Sequence, residues 1–289
     1  MNKIINKERL AEDIDKFDVI APVIAKSAKP GQFVIIRIYE RGERIPLTIA
    51  DSDPKKGVIS LVALKIGKTT CMLSSLKQGD EILDIIGPLG TESETCKFGR
   101  VILAGGGVGI APIFPIAKAL KSSGNYIISV LGAKNKDSLI FLDRMEPLSD
   151  ELYLCSDDGS IGFKGFISNF LSEFLDKNYS QDKKNIERVI AIGPVLMMRA
   201  VCEATRPYNI KTIVSLNSIM VDGTGMCGAC RVEIDGITKF TCVDGPDFDG
   251  HLVNFELLLS RQSMYMAEEK ESLDLYLKDH ECKIINHMP

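Results

Sequence analysis

The stretch Arg100-Val-Ile-Leu-Ala-Gly-Gly-Gly-Val-Gly-Ile-Ala-Pro112 joins a short apolar run to a glycine-rich loop. We expect the apolar run to form a buried strand and a helix to open at Pro112, since proline is favourable in a first helical turn. Gly105, Gly107 and Gly109 allow the backbone to approach a pyrophosphate closely. The spacing departs from G-x-G-x-x-G because an isoleucine follows Gly109, so the loop alone gives only moderate support for a nucleotide site.

The residues that follow alternate between apolar runs and an amphipathic segment. The predicted elements are strand Tyr126–Leu131, strand Leu152–Leu154, helix Phe166–Leu175 and strand Arg188–Ile192. Such alternation is typical of a parallel sheet with crossover helices, in which ligands bind at the carboxyl ends of the strands. Two further strand ends, Cys155–Gly162 and Gly193–Pro194, also carry glycine, although ordinary β–α turns would show the same pattern.

The residues leave the choice between NAD and NADP open. The acidic residue usually found about 20 positions after the glycines is missing, and the strand ends instead in Gly132-Ala-Lys-Asn-Lys136. Lysines at this position favour a 2′-phosphate by charge. Cys155 is expected to be a small strand-end residue, and Met197 and Met198 are expected to pack within a helix.

Residues 1–98 predict a β-barrel domain. Gly31–Ile38 and Ile59–Ile66 are β-prone runs bounded by polar turns, and Asp84–Gly90 leads from a strand into a Gly/Pro turn. Several short strands separated by polar turns are typical of a barrel.

Two segments of this domain carry groups suited to a flavin. Arg44-Ile-Pro-Leu-Thr48 places an Arg, which suits a bidentate pyrophosphate contact, near a hydroxyl that can bond a flavin ring nitrogen. Gly67-Lys-Thr-Thr70 precedes a helix expected over Met72–Leu76, and the junction offers free amides to phosphate. It is not a Walker A motif, because the upstream Gly-x4 is missing. A surface role for Arg44 is the alternative.

The stretch Met220-Val-Asp-Gly-Thr-Gly-Met-Cys-Gly-Ala-Cys230 has the C-x4-C-x2-C spacing of plant-type [2Fe–2S] ferredoxins, with a carboxylate in the first position. Its glycines allow backbone amides to turn toward a cluster. Asp235-Gly236 predicts a two-residue hairpin turn that pairs Ile234 with Ile237 and returns Cys242 to this loop. The predicted ligands are Asp222, Cys227, Cys230 and Cys242.

Other chemistry stays open at this loop. Structural zinc can be held by three Cys and an Asp, although Cys/His sets are commoner. A thioredoxin-like motif would need a βαβ setting, a c-type haem would need His where Arg231 stands, and a disulfide is unexpected in a reducing compartment. His251 is the one His near the loop in sequence, and we expect a turn hydrogen bond from it rather than ligation.

The chain of 289 residues is long enough for two domains and a small third. A net charge of −4 argues against nucleic-acid binding, and eight cysteines are too few and too spread for a disulfide scaffold. Without a signal-peptide core or a stretch of about 20 apolar residues, we expect a cytoplasmic protein with no membrane span. The predicted domains are 1–98, 99–215 and 216–289, the last with a helical tail over Phe255–Tyr276.

The order of a flavin-type barrel, a nucleotide domain and a [2Fe–2S] loop resembles the ferredoxin–NADP reductase superfamily. Within it, the chain is similar to the electron-transfer subunit of dihydroorotate dehydrogenase and resembles the small subunit family of NADH-dependent reduced ferredoxin:NADP oxidoreductases, also called sulfide dehydrogenase beta subunits. The dihydroorotate-type subunit has Cys where this chain has Asp222, which favours the ferredoxin:NADP branch. The segments that carry the resemblance are Arg44–Thr48, Gly67–Thr70, Gly105–Pro112, Asp157–Ser160, Gly193–Met198 and Val221–Cys230.

The resemblance implies one FAD, one [2Fe–2S] cluster and a site for NAD(H) as substrate in this chain. It also implies a larger partner subunit with a second FAD, [4Fe–4S] clusters and an NADP(H) site, through which electrons reach ferredoxin by flavin-based bifurcation. No catalytic acid or base is assigned. The cofactor-binding residues that the resemblance implies are Arg44, Pro46, Leu47, Thr48, Gly67, Lys68, Thr69, Thr70, Gly105, Gly107, Val108, Gly109, Asp157, Asp158, Gly193, Pro194 and Met197.

Two other functions stay open on the sequence alone. The chain could serve an NAD-dependent dihydroorotate dehydrogenase as its electron-transfer subunit. It could also be a zinc-stabilised, nucleotide-binding regulator without redox activity.

Overall fold

The computed structural model describes residues 2–178 and 186–285, and its first part is a nearly closed antiparallel barrel. The strands are β1 (Asn2–Ala11), β2 (Ile14–Ile20), β3 (Phe33–Arg37), β4 (Ile45–Asp53), β5 (Val58–Leu64), β6 (Glu81–Ile82) and β7 (Asp84–Leu89), with helices α1 (Pro22–Ser27) and α2 (Lys68–Ser75). Their order is β6-β1-β2-β5-β4-β3-β7, and every neighbouring pair is antiparallel. The predicted barrel is confirmed.

Strand β3 is apolar on both faces, and each face has its own partner. Side chains alternate across a strand, so Val34 and Ile36 enter the barrel core while Phe33 and Ile35 point outward. All four are at most 3% exposed. The outward pair packs against a segment almost 200 residues later in the chain, around Met220.

The second part is a parallel sheet covered by helices. Its strands are β8 (Arg100–Gly106), β9 (Tyr126–Ala133), β10 (Glu151–Ser156), β11 (Phe163–Lys164), β12 (Arg188–Ile192) and β13 (Thr212–Ser215), with helices α3 (Ile110–Ser122), α4 (Leu142–Met145), α5 (Ile167–Asn178) and α6 (Val195–Thr205). The prediction that the first helix opens at Pro112 was wrong by two residues. The backbone makes a single tighter turn over 107–109, and α3 then begins at Ile110. Pro112 lies in the first turn, where its missing N–H costs nothing.

The last part contains a hairpin, a short strand and two helices. These are β14 (Arg231–Ile234), β15 (Ile237–Phe240), β16 (Asp247–Asp249), α7 (Phe255–Gln262) and α8 (Met266–Ile285). Strand β16 extends the second sheet beside β13 as its antiparallel edge, giving the order β11-β10-β9-β8-β12-β13-β16. The single helical tail expected from the sequence is two helices separated by a turn at 263–265. The division at 98/99 and 215/216 stays a prediction, and its last two parts include residues 179–185 and 286–289, which lie outside the described residues.

The three parts are tied together by specific contacts. Arg144 of α4 bonds Asp51 of β4 at 2.5 Å, and its guanidinium lies 3.9 Å from the centroid of the Phe114 ring. Ser93 follows the last strand of the barrel, and its Oγ donates to Asp247 Oδ2 of β16 at 2.6 Å. Across residues 2–178 and 186–285, no helix is both long and apolar enough to cross a bilayer.

Candidate functional site

The hairpin brings two of the predicted cluster ligands together. Ile234 pairs with Ile237, as predicted, and the turn residues Asp235 and Gly236 have the positive φ values of 51° and 73° that this two-residue turn requires. Cys230 Sγ and Cys242 Sγ lie 3.2 Å apart, and both residues are 2% exposed. Burial, together with the neighbouring Cys230, raises the pKa of the Cys242 thiol to about 12. Binding of iron here would therefore release protons.

The other two predicted ligands lie at the open side of the same loop. Cys227 is exposed, and Asp222 Oδ2 accepts a hydrogen bond from its amide at 2.9 Å. Asp222 Oδ1 accepts from the Thr224 amide at 3.0 Å, and this bond holds the pKa of the carboxyl below its usual value. Asp222 is thus an ionised, hard oxygen donor on the loop of the three cysteines. No three His, Cys, Asp or Glu side chains converge on a single point anywhere in the described ranges.

The loop over residues 220–230, called the ligand loop below, packs on the outer face of the barrel. Gly223 has a φ of +75°, and a Cβ at this position would lie 2.6 Å from Ile35 Cδ1 and 2.7 Å from Leu89 Cδ1. Cys230 and Cys242 belong to the same apolar cluster as Phe33 and Ile35 of β3. The loop can approach β3 this closely only because residue 223 has no side chain.

The free backbone amides of the loop suit an anionic cluster. Among the residues that the structure describes, the amides of Ala229 and Cys230 have no hydrogen-bond acceptor. Successive unpaired amides in a turn form an anion-binding nest of the kind found at iron–sulfur sites. The usual donor set of a [2Fe–2S] cluster is four thiolates; here three thiols and these amides are present, and the Asp222 carboxylate, with the same formal charge as a thiolate, stands in the fourth position, so the residues present fit the group.

The two predicted flavin segments meet at one end of the barrel. Glu43, beside Arg44, accepts a hydrogen bond from Thr69 Oγ1 at 2.5 Å, which joins the start of β4 to the start of α2. The helix predicted from Met72 in fact begins at Lys68, because Thr70 Oγ1 accepts from the amide of Gly67 at 3.1 Å and so caps the first turn. Gly67–Thr70 is therefore the helix N-terminus itself.

This end of the barrel has the features of a phosphate cradle. A Cβ on Gly67 would meet no atom within 4 Å, so the space beside the helix start is open. Arg44 is exposed, and no carboxylate of the described chain lies within ion-pairing distance of it. Pro46, Leu47 and Thr48 are half-buried on β4, where Thr48 pairs with Phe33 and Pro46 with Ile35. The residues present fit an FAD, whose pyrophosphate would be held by Arg44 and the amides at the start of α2.

The predicted dinucleotide residues line one edge of the second sheet. Strands β10, β9, β8 and β12 are consecutive and parallel, so their carboxyl ends share that edge. Gly107 has a φ of +55° and open space around it, and a Cβ on Gly109 would lie 2.3 Å from the Ile192 carbonyl oxygen. Val108 lies between them in the turn over 107–109. The glycines therefore let this turn pack directly on the end of β12, where Gly193 and Pro194 follow.

The far end of this edge carries mixed charge. The Asp157 amide donates to the Ala133 carbonyl at 3.2 Å and the Asp158 amide to the Lys134 carbonyl at 3.3 Å, so the loops after β9 and β10 are in contact. Asp158 Oδ1 accepts from Ser160 Oγ at 2.6 Å, and this bond lowers the pKa of the Asp158 carboxyl. Asp157 is exposed.

Some residues at these sites were not found from the sequence. Gly106 ends β8, and a Cβ there would lie 2.3 Å from Met197 Sδ, so Met197 covers the glycine loop rather than only packing within α6. Arg261 Nη2 donates to the Ala229 carbonyl of the ligand loop at 3.0 Å. No sequence signal links residues so far apart. The predicted turn hydrogen bond of His251 is made by its amide, which donates to Asp249 Oδ1 at 3.0 Å, whereas its ring bonds Thr205 Oγ1 of α6 at 3.0 Å.

Comparison with known proteins identifies the relatives of this chain. A family model described as the iron-sulfur cluster binding domain of dihydroorotate dehydrogenase B matches residues 217–254. A Thermotoga maritima protein named dihydroorotate dehydrogenase B (NAD(+)), electron transfer subunit homolog is 49% identical over 278 residues, which cover 96% of each protein.

Solved structures agree with this relationship. A chain from a structure of NADH-dependent reduced ferredoxin-NADP oxidoreductase, studied for flavin-based electron bifurcation, has a TM-score of 0.89 and 47% identity over 96% of this chain and 98% of that one. The ferredoxin reductase of carbazole 1,9a-dioxygenase has a TM-score of 0.61 at 18% identity over 72% of this chain and 65% of its own, which shows a shared fold. The chain therefore belongs to the family of dihydroorotate dehydrogenase B electron-transfer subunits and their homologues, oxidoreductase subunits that combine a flavin-binding barrel of the ferredoxin–NADP reductase superfamily with an iron–sulfur cluster segment.

Proposed function

We propose that this chain is the electron-transfer subunit of a bifurcating NADH-dependent reduced ferredoxin:NADP oxidoreductase. The observation that carries the proposal is the double contact of β3. Its Phe33 pairs with Thr48 of the proposed flavin segment, and the same residue packs in one cluster with Cys230 and Cys242. One strand therefore separates the flavin segment from the ligand loop, which suits the short distances that electron transfer needs.

Each segment of the chain has a binding or orienting role in this proposal. Arg44 and the start of α2 hold the flavin pyrophosphate, and Thr48 donates to the flavin ring. The glycine turn over 107–109 and Met197 hold the dinucleotide. Asp222, Cys227, Cys230 and Cys242 hold the iron atoms. When bound, the flavin takes or gives a hydride with the nicotinamide, and the cluster passes electrons one at a time. The protein needs no acid or base for this; its task is to orient the groups.

The ligand loop also presents an apolar surface suited to a partner subunit. Around the ligands, Val221 is 47% exposed, Met226 88% and Val243 45%. Exposed apolar side chains clustered at a redox site are typical of a protein–protein contact. We propose that a larger subunit with a second FAD, [4Fe–4S] clusters and the NADP(H) site docks here, and that ferredoxin is reduced on that subunit.

The nucleotide of this chain is proposed to be NAD(H), with Asp157 and Asp158 toward the adenosine ribose. A carboxylate accepts from a ribose 2′-hydroxyl and repels a 2′-phosphate. Lys134 and Lys136 oppose this reading by charge. The variants Asp157→Ser and Lys134→Gln/Lys136→Gln separate the two cases. We expect Asp157→Ser to lower kcat/KM for NADH and the double lysine variant to leave it unchanged. Loss of NADPH activity in the lysine variant alone would favour NADP.

The first test is anaerobic purification with iron, zinc and flavin assays. We expect about two irons and about one FAD per chain, and bleaching of the visible spectrum on addition of NADH. Zinc without iron or flavin would refute the proposal and favour a nucleotide-binding regulator.

The second test concerns the partner. In the purified complex, NADPH should reduce ferredoxin only when NAD⁺ is also present. The names of the relatives favour one competing function, electron transfer for dihydroorotate dehydrogenase B. Dihydroorotate-dependent NAD⁺ reduction by the copurified complex would support that function and contradict bifurcation.

A further inference from the structure

Two arginines bind consecutive carbonyl groups of the ligand loop. Arg231 Nη1 donates to the Gly228 carbonyl at 3.1 Å, and Arg261 Nη2 donates to the Ala229 carbonyl at 3.0 Å. Arg231 begins β14, whereas Arg261 lies in the last turn of α7. Both guanidinium groups therefore meet the two residues between Cys227 and Cys230.

Neither arginine has an acidic partner in the part of the chain whose side chains the structure describes. Within residues 2–178 and 186–278, no Asp or Glu oxygen lies within 4.0 Å of the Arg231 or Arg261 guanidinium. The arginines that do have an acidic partner are Arg9, Arg37, Arg100, Arg144, Arg188 and Arg199. Arg261 is also half-buried. A half-buried cation without a counter-charge is costly unless an anion balances it, so the Arg261 charge points to an anionic group at this loop, and Arg231 adds a second positive charge beside it.

The arginines also fix which way the loop amides face. In a planar trans peptide, the carbonyl and the following N–H point in opposite directions. With the Gly228 and Ala229 carbonyls turned to the arginines, the amides of Ala229 and Cys230 face the other way. Neither of these two amides donates to an acceptor among residues 2–178 and 186–285. The guanidinium groups thereby keep two donors free for a negatively charged ligand.

We propose that Arg231 and Arg261 are positioning residues that raise the reduction potential of the cluster held by this loop. The inference rests on the ligand set of the proposed function. Reduction adds one electron, and hence one negative charge, to the site. Positive charge and inward amides stabilise the more negative state, and both raise the potential of an iron–sulfur centre. Removing either arginine should therefore lower it.

The two arginines should differ in their response to salt. Arg231 is exposed and Arg261 is half-buried. Added salt screens exposed charges and acts much less on buried ones. The effect of Arg231 should therefore fade at about 1 M salt, where the Debye length is about 3 Å, whereas the effect of Arg261 should persist.

The experiment is an anaerobic redox titration of the purified holo-chain, followed by electron paramagnetic resonance of the reduced cluster. The variants are R261Q, R261K, R231Q and, as a control for net charge, R199Q, whose arginine pairs with Glu203 on α6. At low salt we expect R261Q to lower the ratio of reduced to oxidised cluster at a fixed applied potential about ten-fold, which corresponds to a midpoint potential lower by about 59 mV for a one-electron couple. R231Q should shift it about three-fold in the same direction. R261K keeps the charge and should recover most of the loss, and R199Q should match the wild type.

The outcomes separate this inference from the proposed function. Unchanged potentials in both R261Q and R231Q, with iron content equal to wild type, would overturn the role of the arginines and leave the cluster assignment intact. If R261Q retains no cluster, R231Q decides: a lowered potential that returns to the wild-type value in high salt supports the inference, and an unchanged one overturns it. A wild-type chain without iron overturns the cluster assignment and the inference together.

Discussion

Replacement of Gly223 by alanine tests whether the ligand loop is seated on the barrel. At a φ of +75°, alanine costs about 1–2 kcal/mol in any surroundings. The new Cβ would also lie 2.6 Å from Ile35 Cδ1 and 2.7 Å from Leu89 Cδ1, so buried side chains have to shift. Overpacking of this kind costs about 1–3 kcal/mol. We therefore expect Gly223→Ala to lower the free energy of unfolding by about 2–5 kcal/mol.

Gly236 provides a matched control in the same part of the chain. Its φ is +73°, and a Cβ there would meet no atom within 4 Å. Gly236→Ala should therefore show only the backbone cost of about 1–2 kcal/mol. Urea unfolding followed by circular dichroism measures both variants, since the chain has no Trp for fluorescence.

The difference between the two variants isolates the contact with the barrel. Equal destabilisation of both, to within about 0.5 kcal/mol, would refute the seating of Gly223 on Ile35 and Leu89. A further variant sharpens the result. Ile35→Val removes the nearest atom, Cδ1, so the double variant Gly223→Ala/Ile35→Val should be more stable than the sum of the single changes implies, by about 1 kcal/mol.

Three other predictions concern single carboxylates. Asp51→Asn weakens the contacts to Arg144 at 2.5 Å and to Lys118 at 3.4 Å. We expect it to lower the free energy of unfolding by about 1–3 kcal/mol and, in stopped-flow, to slow flavin reduction by NADH about ten-fold. Lys177→Gln, which removes an exposed ion pair with Glu173, should change neither quantity. Burial raises the pKa of Asp247 above the usual 3.8, so its contribution favours folding at low pH and is lost as pH rises through the folded pKa. The stability gain of Asp247→Asn over wild type should therefore grow from about pH 4 to about pH 7, and a gain independent of pH would contradict this. Asp222→Cys should keep about two irons per chain and shift the cluster potential in spectroelectrochemistry; an unchanged potential would remove Asp222 from the ligand set.

Local turn chemistry made the hairpin of the ligand loop predictable. Asp235-Gly236 admits one common turn, and that turn fixes the pairing of Ile234 with Ile237 and the return of Cys242. The strands of the second sheet were also recognisable, because strands covered on both faces are continuous apolar runs. Arg188–Ile192, for example, has the predicted bounds.

Elements that depend on distant partners were not predictable. Strands β1 and β2 are rich in charge, and Asp15 is fully buried only because Lys7 and Arg9 of the other strand lie 3.5 Å away. Strand β16, Asp247–Asp249, has two acidic residues and a turn-like sequence, and it is a strand only because β13 offers a free edge. The arginine contacts of the ligand loop fall in the same class, since Ala229 and Arg261 are far apart in sequence.

The two-sided anchoring of the last part of the chain limits how it can be re-used in engineering. A self-contained ferredoxin can be grafted onto a new host together with its ligands and the apolar surface on which they pack. Here the supporting surface belongs to other parts of the chain, because Cys230 and Cys242 pack on Phe33 and Ile35 of the barrel and β16 pairs with the second sheet. A transplant of residues 217–254 alone would carry the ligands but leave behind the surfaces that shape them. For a designer, the barrel, the second sheet and the ligand segment form one indivisible part.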